Sequence, residues 1–168
     1  MIIFLNGSIN AGKSTIAKLL AKEIKNVALL EIDALSEMIG WMPIDQAVPI
    51  NLENAILIIK NFIKRKLNVI VPYPLSQKNY DYIMDCLKDT DEIYVFTLAP
   101  TLESALTNRG TRELDEHEKE RIKYHYRIGI PAPPFGEVVD NTNQSPEVTS
   151  SYILSRIFHD SRDGKVGQ

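Results

Sequence analysis

Residues 7–14 read Gly-Ser-Ile-Asn-Ala-Gly-Lys-Ser, a complete G-x-x-x-x-G-K-[ST] run that begins one residue after the apolar stretch Ile2-Ile3-Phe4-Leu5. The chain therefore passes from a buried-type strand, through a loop punctuated by Gly7 and Gly12, straight into an amphipathic helix. Few folds accommodate that order. A helix N-terminus offers unpaired N–H groups and the positive end of the helix dipole, so the junction is suited to bind phosphate. The two glycines permit the tight loop and close backbone approach, and Ser8, Ile9, Asn10 and Ala11 line its turn with backbone N–H groups. Lys13 is expected to reach the β- and γ-phosphates of a nucleoside triphosphate. The Ser14 hydroxyl is expected to ligate Mg²⁺, with Thr15 beside it in the first helical turn.

The rest of the chain alternates strand and helix patterns. Apolar runs at 2–6, 27–32, 68–71, 93–98 and 138–139 predict strands. Helices are predicted at 14–25, 34–39, 52–66, from Ser76 with Tyr80, Ile83, Met84 and Leu87 on one face, and at 101–109, 113–127 and 145–158. On the 52–66 helix, Leu52, Ala55, Ile56, Ile59 and Ile63 form the stripe to be buried. Ser76 is placed as an N-cap, and Pro146 occupies a first helical turn. Mostly apolar strands alternating with helices predict an α/β fold in which helices cover both faces of a parallel sheet.

Composition excludes several classes. With 168 residues, 44% of them hydrophobic, the chain suffices for one domain, expected over 1–158, and a polar tail over 159–168. A net charge of −3 supplies no electrostatic footprint for nucleic acid or an anionic membrane surface. The single cysteine, Cys86, cannot form an internal disulfide, and the apolar start is too short for a signal peptide or membrane span. The expected location is the cytoplasm.

In open α/β sheets, working residues collect at the carboxyl ends of strands. The second predicted strand ends in Glu31-Ile32-Asp33, where period-two alternation points both carboxylates to one side. Asp33 is the candidate base for an acceptor hydroxyl, and Glu31 the candidate to hold Mg²⁺ through a water. The third strand ends in Val71-Pro72-Tyr73-Pro74 and lacks the Asp that many P-loop ATPases carry there, which argues against a motor-type ATPase. Tyr73 and Ser76 are candidates to line an acceptor pocket, with packing the plain alternative for Tyr73. No N-K-x-D guanine-reading motif occurs. After the fourth strand, Arg109 and Arg112 open a charged segment expected to serve as a lid over about 110–135. Arg109 is assigned to the nucleotide base and Arg112 to transition-state charge. Arg121, Lys123 and Arg127 read as a solvated helix face, and His117, His125 and His159 as surface residues without metal-ligand spacing.

Together these features resemble the small P-loop kinases of the shikimate kinase, gluconate kinase and chloramphenicol phosphotransferase group. The resemblance rests on residues 7–14, on Glu31-x-Asp33, on Arg109-x-x-Arg112 and on Val139-Asp140-Asn141-Thr142. It implies a three-layer P-loop fold with a five-stranded parallel sheet in the order 2-3-1-4-5. It also implies ATP and Mg²⁺ as reactants, Asp33 as the acceptor-side base and Arg109 beside the adenine.

In that family the acceptor lies against the segment after the second strand, here about 34–66. From Ala34 through Ile59 there is no Lys or Arg, while Glu37, Asp45 and Glu53 are present. Anionic acceptors such as nucleoside monophosphates or shikimate need guanidinium groups there. The segment offers Trp41 for stacking and Asn51 for hydroxyl contact instead. The expected activity is transfer of the γ-phosphate of ATP to a hydroxyl of a neutral or cationic small molecule such as a sugar, nucleoside or antibiotic. The rival readings are a nucleotide or polynucleotide 5′-kinase and a non-catalytic ATP-binding module.

Overall fold

A computed structural model describes residues 1–107 and 113–163, with side chains of the last helix described through Phe158. Among the described residues, five parallel strands form one sheet: β1 (Ile2–Gly7), β2 (Val27–Leu29), β3 (Asn68–Pro72), β4 (Ile93–Leu98) and β5 (Glu137–Val139). Their order is β2-β3-β1-β4-β5, which is the order 2-3-1-4-5. β1 is central, with Phe4 level with Val71 on one side and with Val95 on the other.

Alternation along the central strands builds two cores from one sheet. Ile2, Phe4, Val69 and Val71 point to the face covered by α3 (Ile44–Lys64) and α4 (Gln77–Cys86), where they meet Leu52, Ile56, Ile59 and Ile83. Ile3, Leu5, Ile70 and Phe96 point to the other face, covered by α1 (Lys13–Glu23) and α7 (Pro146–Asp163), and meet Ile16, Leu20, Ile153 and Ile157. Helices at both faces leave the strands apolar on both sides, which is why β1 reads as an unbroken apolar run. The remaining helices, α2 (Ile32–Ser36), α5 (Leu102–Ala105) and α6 (Glu116–Arg127), stand around the carboxyl edge of the sheet. No described helix is long and apolar enough to cross a membrane.

Several boundaries differ from the sequence pattern. β2 stops at Leu29, because Ile32 turns inward to 1% exposure and starts α2. α3 begins at Ile44 rather than at 52, with Pro49 inside it. Pro49 forfeits one helical hydrogen bond, but buried Ala47, Asn51 and Leu52 keep the early turns packed. α6 begins at Glu116 rather than 113, where Asp115 and Glu118 form a capping box. α5 ends at Ala105, and α7 continues to Asp163, five residues into the stretch read as a tail. Ser76 does cap α4, its hydroxyl accepting from the Asn79 amide at 3.3 Å.

Asn6 is the polar pin under the site. It is fully buried, its Nδ2 donates to Thr97 Oγ1 at 3.0 Å and to the Ile130 carbonyl at 3.2 Å, and its Oδ1 accepts from the Leu75 amide at 2.7 Å. One side chain thereby fastens β4, the segment after α6 and the loop after β3 to the central strand. Asn6→Leu strands those partners without hydrogen bonds, so a loss of about 2–4 kcal/mol in urea unfolding is expected. A loss below about 0.5 kcal/mol would show that the pin contributes little.

Candidate active site

The loop between β1 and α1 is shaped by two glycines at positive φ. Gly7 has φ +139°, and a Cβ there would lie 2.6 Å from the Leu98 carbonyl oxygen, so only glycine fits. Gly12, at φ +96°, is the N-cap of α1 and supplies no side-chain hydrogen bond to the helix. The contrast with α4, α5 and α6 is informative, since Ser76, Thr101 and Asp115 cap those helices with their side chains. α1 also has no acidic residue in its first turn. Its leading N–H groups and dipole are therefore left to an outside acceptor. Lys13 curls back across the loop and its Nζ donates to the Ser8 carbonyl at 2.7 Å. Ser14 and Thr15 are exposed on the same turn.

The variable positions of the loop hold neighbouring helices. Asn10 adopts the left-handed φ of 62° that Asn tolerates, and its Nδ2 donates to the carbonyls of Ala105 and Thr107, both at 2.8 Å. Ile9 packs against a small core of Ala105, Leu114 and Ile122 contributed by α5, α6 and the turn before α6. The Ser8 hydroxyl meets His125 Nδ1 at 3.3 Å. α5 and α6 are thus seated on the phosphate loop itself. Arg109 and Arg112 lie outside the described residues.

One cavity lies directly against the loop, and a larger one is connected to it through His125. The larger, about 640 Å³, is lined by Asp33 from α2, Asn51 from α3, Tyr73 after β3, and Arg121 and His125 from α6. The smaller, about 420 Å³, lies against Asn10, Gly12 and Thr15 on one side and Asn141, Gln144 and Thr149 on the other. Asn141 Nδ2 donates to the Ala11 carbonyl at 2.9 Å, which ties the loop after β5 to the phosphate loop.

Electrostatics links Lys13 to the groups of the larger cavity. Burial lowers the Lys13 pKa to about 8, opposed by the Asp33 carboxylate and reinforced by the Arg121 guanidinium. Burial and then Asp33 push Tyr73 up to about 12, so its phenol stays protonated. Burial, Arg121 and Lys13 lower His125 to about 4, so its imidazole is neutral at neutral pH. Lys13, Asp33, Tyr73, Arg121 and His125 therefore share one electrostatic environment.

The expected acceptor-side residues are placed unevenly. Asp33, Asn51 and Tyr73 reach the cavity wall, while Trp41 is 80% exposed and is not among the lining residues. Asn51 is buried, and its Nδ2 donates to Ser36 Oγ at 2.7 Å, joining α3 to the helix that carries Asp33. Period-two alternation does not govern Glu31 and Asp33, because the strand has already ended. Glu31 is the extended N-cap of α2, Asp33 stands in its first turn, and both are exposed.

His125 corrects the reading of it as a surface residue, and Arg121, exposed as expected, also lines the cavity. His125 is only 7% exposed and contacts the phosphate loop. Nothing local distinguishes them: their helix is strongly charged, and only the packing of Ile122 turns one side toward the loop. On its solvated side the helix carries the i,i+3 pairs Glu116–Lys119 and Glu120–Lys123, each at 2.7 Å. Because the folded state holds His125 near 4 against an ordinary 6.5, the unfolded chain binds more protons between those values. Stability is expected to fall as pH drops from 6.5 toward 4, and His125→Gln should flatten that limb in urea titrations. An unchanged acid limb would contradict the buried, neutral imidazole.

No family model matches the chain, and no curated protein matches it in sequence. The likeness is structural. A gluconokinase from Sinorhizobium meliloti 1021 aligns with TM-score 0.73 at 14% identity, covering 96% of this chain and 93% of that one. A shikimate kinase from Acinetobacter baumannii, solved in complex with shikimate, aligns with TM-score 0.63 at 16% identity over 99% and 95% of the two chains. The tunicamycin resistance protein of Deinococcus radiodurans gives TM-score 0.62 at 18% identity over 93% and 94%. The chain has the fold of the small P-loop kinases.

Proposed function

We propose that the protein is an ATP- and Mg²⁺-dependent phosphotransferase that moves the γ-phosphate to a hydroxyl of a neutral or cationic small molecule. The observation that carries this reading is the electrostatic coupling of Asp33, on the wall of the larger cavity, to Lys13 in the first turn of a helix that has no side-chain cap. The smaller cavity suits the nucleoside, with its phosphates over Gly7 to Ser14. Mg²⁺ would neutralise charge on the β- and γ-phosphates. Ser14 Oγ would hold it, with Glu31 as the candidate to act through a water; oxygen donors suit this cation beside phosphate oxygens. The acceptor oxygen attacks the γ-phosphorus in line, the bond to the bridging oxygen of ADP breaks, and the acceptor proton passes to the Asp33 carboxylate. Tyr73 and Asn51 offer hydrogen bonds to the acceptor from the cavity wall.

Arg121 adds a cation that the segment from Ala34 to Ile59 lacks. Its field reaches Lys13 and His125, so we assign it to the transferring phosphoryl group rather than to an anionic acceptor. Arg121→Ala is then expected to lower kcat by roughly a hundredfold, with little change in the KM of the acceptor. A rise in acceptor KM alone would instead make Arg121 an anion-holding residue and favour a nucleotide-kinase reading. A screen of sugars, nucleosides, polyols and antibiotics for acceptor-dependent ADP release tests the activity. Efficient use of nucleoside monophosphates or carboxylate-bearing acceptors, with their uncharged analogues inactive, would overturn the acceptor class.

A further inference from the structure

The outer part of the larger cavity is apolar in a way that phosphoryl transfer does not require. Three of its lining residues are large apolar side chains standing in solvent: Ile44 at the start of α3 is 66% exposed, and Tyr124 and Ile128 are 48% and 45% exposed. Trp41, 80% exposed, sits in the chain between Gly40 and Met42, both of which line the same cavity. Farther in, Ile39, Ala47 and Val48 continue the apolar wall. Polar groups line the same cavity, among them Asp33 and Tyr73, and Asp33 is electrostatically coupled to Lys13. The buried Asn51 Oδ1 adds an acceptor that has no hydrogen-bond partner among the described residues.

A compact polyol would engage the polar groups and leave this wall and rim facing water. Exposed apolar surface continuous with a cavity marks a binding site, and about 640 Å³ suits a drug-sized ligand rather than a small polar one. Resting on the phosphotransferase reading, we propose that the acceptor is an amphiphile. Its hydroxyl-bearing head lies at Asp33 and Asn51. Its alkyl or aryl body runs along Ile39, Ala47 and Val48 and leaves through the mouth formed by Ile44, Tyr124 and Ile128, where Trp41 covers it. Continuity selects a substrate over a second copy of the chain, because the residues of the mouth line the same cavity as Asp33.

The test compares octyl and methyl β-D-glucoside, below the micelle threshold, on the full chain with Mg²⁺ and a non-hydrolysable ATP analogue. The octyl compound should bind at least about tenfold more tightly by calorimetry, since each buried methylene contributes favourably. It alone should shift the emission of Trp41, the only tryptophan, to the blue. Ile44→Gln combined with Ile128→Gln should cut the preference to about twofold or less. Both positions are exposed, so the fold tolerates the change, and an unaltered far-ultraviolet spectrum checks this.

Equal affinity for the two glucosides, or binding of neither, overturns the amphiphile. So does a dimer in sedimentation that the double variant abolishes, with no alkyl preference, because the rim is then a self-contact. The two readings fail separately. Octyl preference without phosphorylation of any hydroxyl compound leaves the amphiphile site standing and removes the phosphotransferase. Phosphorylation of polar acceptors with no alkyl preference does the reverse.

Discussion

Lys13→Ala is expected to abolish phosphoryl transfer while leaving the fold intact or slightly firmer. In the free protein the Lys13 ammonium donates to the Ser8 carbonyl within its own loop, a contact that a bound triphosphate would replace. Burial lowers its pKa to about 8, so below that pH the folded protein bears the cost of a desolvated ammonium, and the cost is relieved as pH rises toward 10.5. The side chain therefore serves the ligand at the expense of stability. Removing it should lower kcat by roughly a hundred- to thousandfold or more, the effect of deleting a preorganised charge at a reacting oxygen. The melting temperature at neutral pH should stay level or rise. ATP affinity of the unaltered protein should weaken as pH climbs through about 8, since a neutral amine must take up a proton to pair with phosphate. Near-normal turnover in Lys13→Ala would remove the phosphate loop from the mechanism.

Asp33→Asn is expected to keep nucleotide binding and lose the chemical step. Asp33 raises the pKa values of both Lys13 and Tyr73, so its charge acts on both groups. The amide retains the shape and accepts a hydrogen bond but cannot take a proton. Loss of a positioned base lowers kcat by roughly two to four orders of magnitude. With Asp33 no longer opposing burial, the Lys13 pKa should fall below about 8 in the variant, and the weakening of ATP affinity should begin at lower pH. Single-turnover kinetics separates the two effects. A variant that binds MgATP normally and transfers at the unaltered rate would contradict the assignment of Asp33.

Legibility divided along physical lines. The phosphate loop was readable because its requirements are local: Gly7 and Gly12 adopt conformations that exclude a side chain, and Lys13 follows in sequence. The sheet was readable because alternate residues of β1 feed two cores, leaving an unmistakable apolar run. The expected orientation of Asp33 rested on a stretch of strand that is not there. The strand expected to orient it ends at Leu29, and the carboxylate reaches the cavity from the first turn of a helix. The early turns of α3 were hidden by Pro43 and Pro49, whose local penalty is outweighed by burial of Ala47, Asn51 and Leu52. His125 and Asn6 were illegible because their partners are distant in sequence. Ser8 lies 117 positions from His125, and Ile130 lies 124 from Asn6. A charged helix such as α6 gives no local sign of which side will be pressed against a loop.

The most direct measurement follows both products of the reaction in one sample. An acceptor found by the screen is incubated with MgATP, and phosphorus resonance is used to count ADP formed against phosphorylated acceptor formed. The proposed function requires equal amounts of the two, with both formed at a rate at least a hundredfold lower in Asp33→Asn at saturating MgATP. ADP accompanied only by inorganic phosphate, or no acceptor-dependent ADP from any hydroxyl-bearing compound, would contradict it.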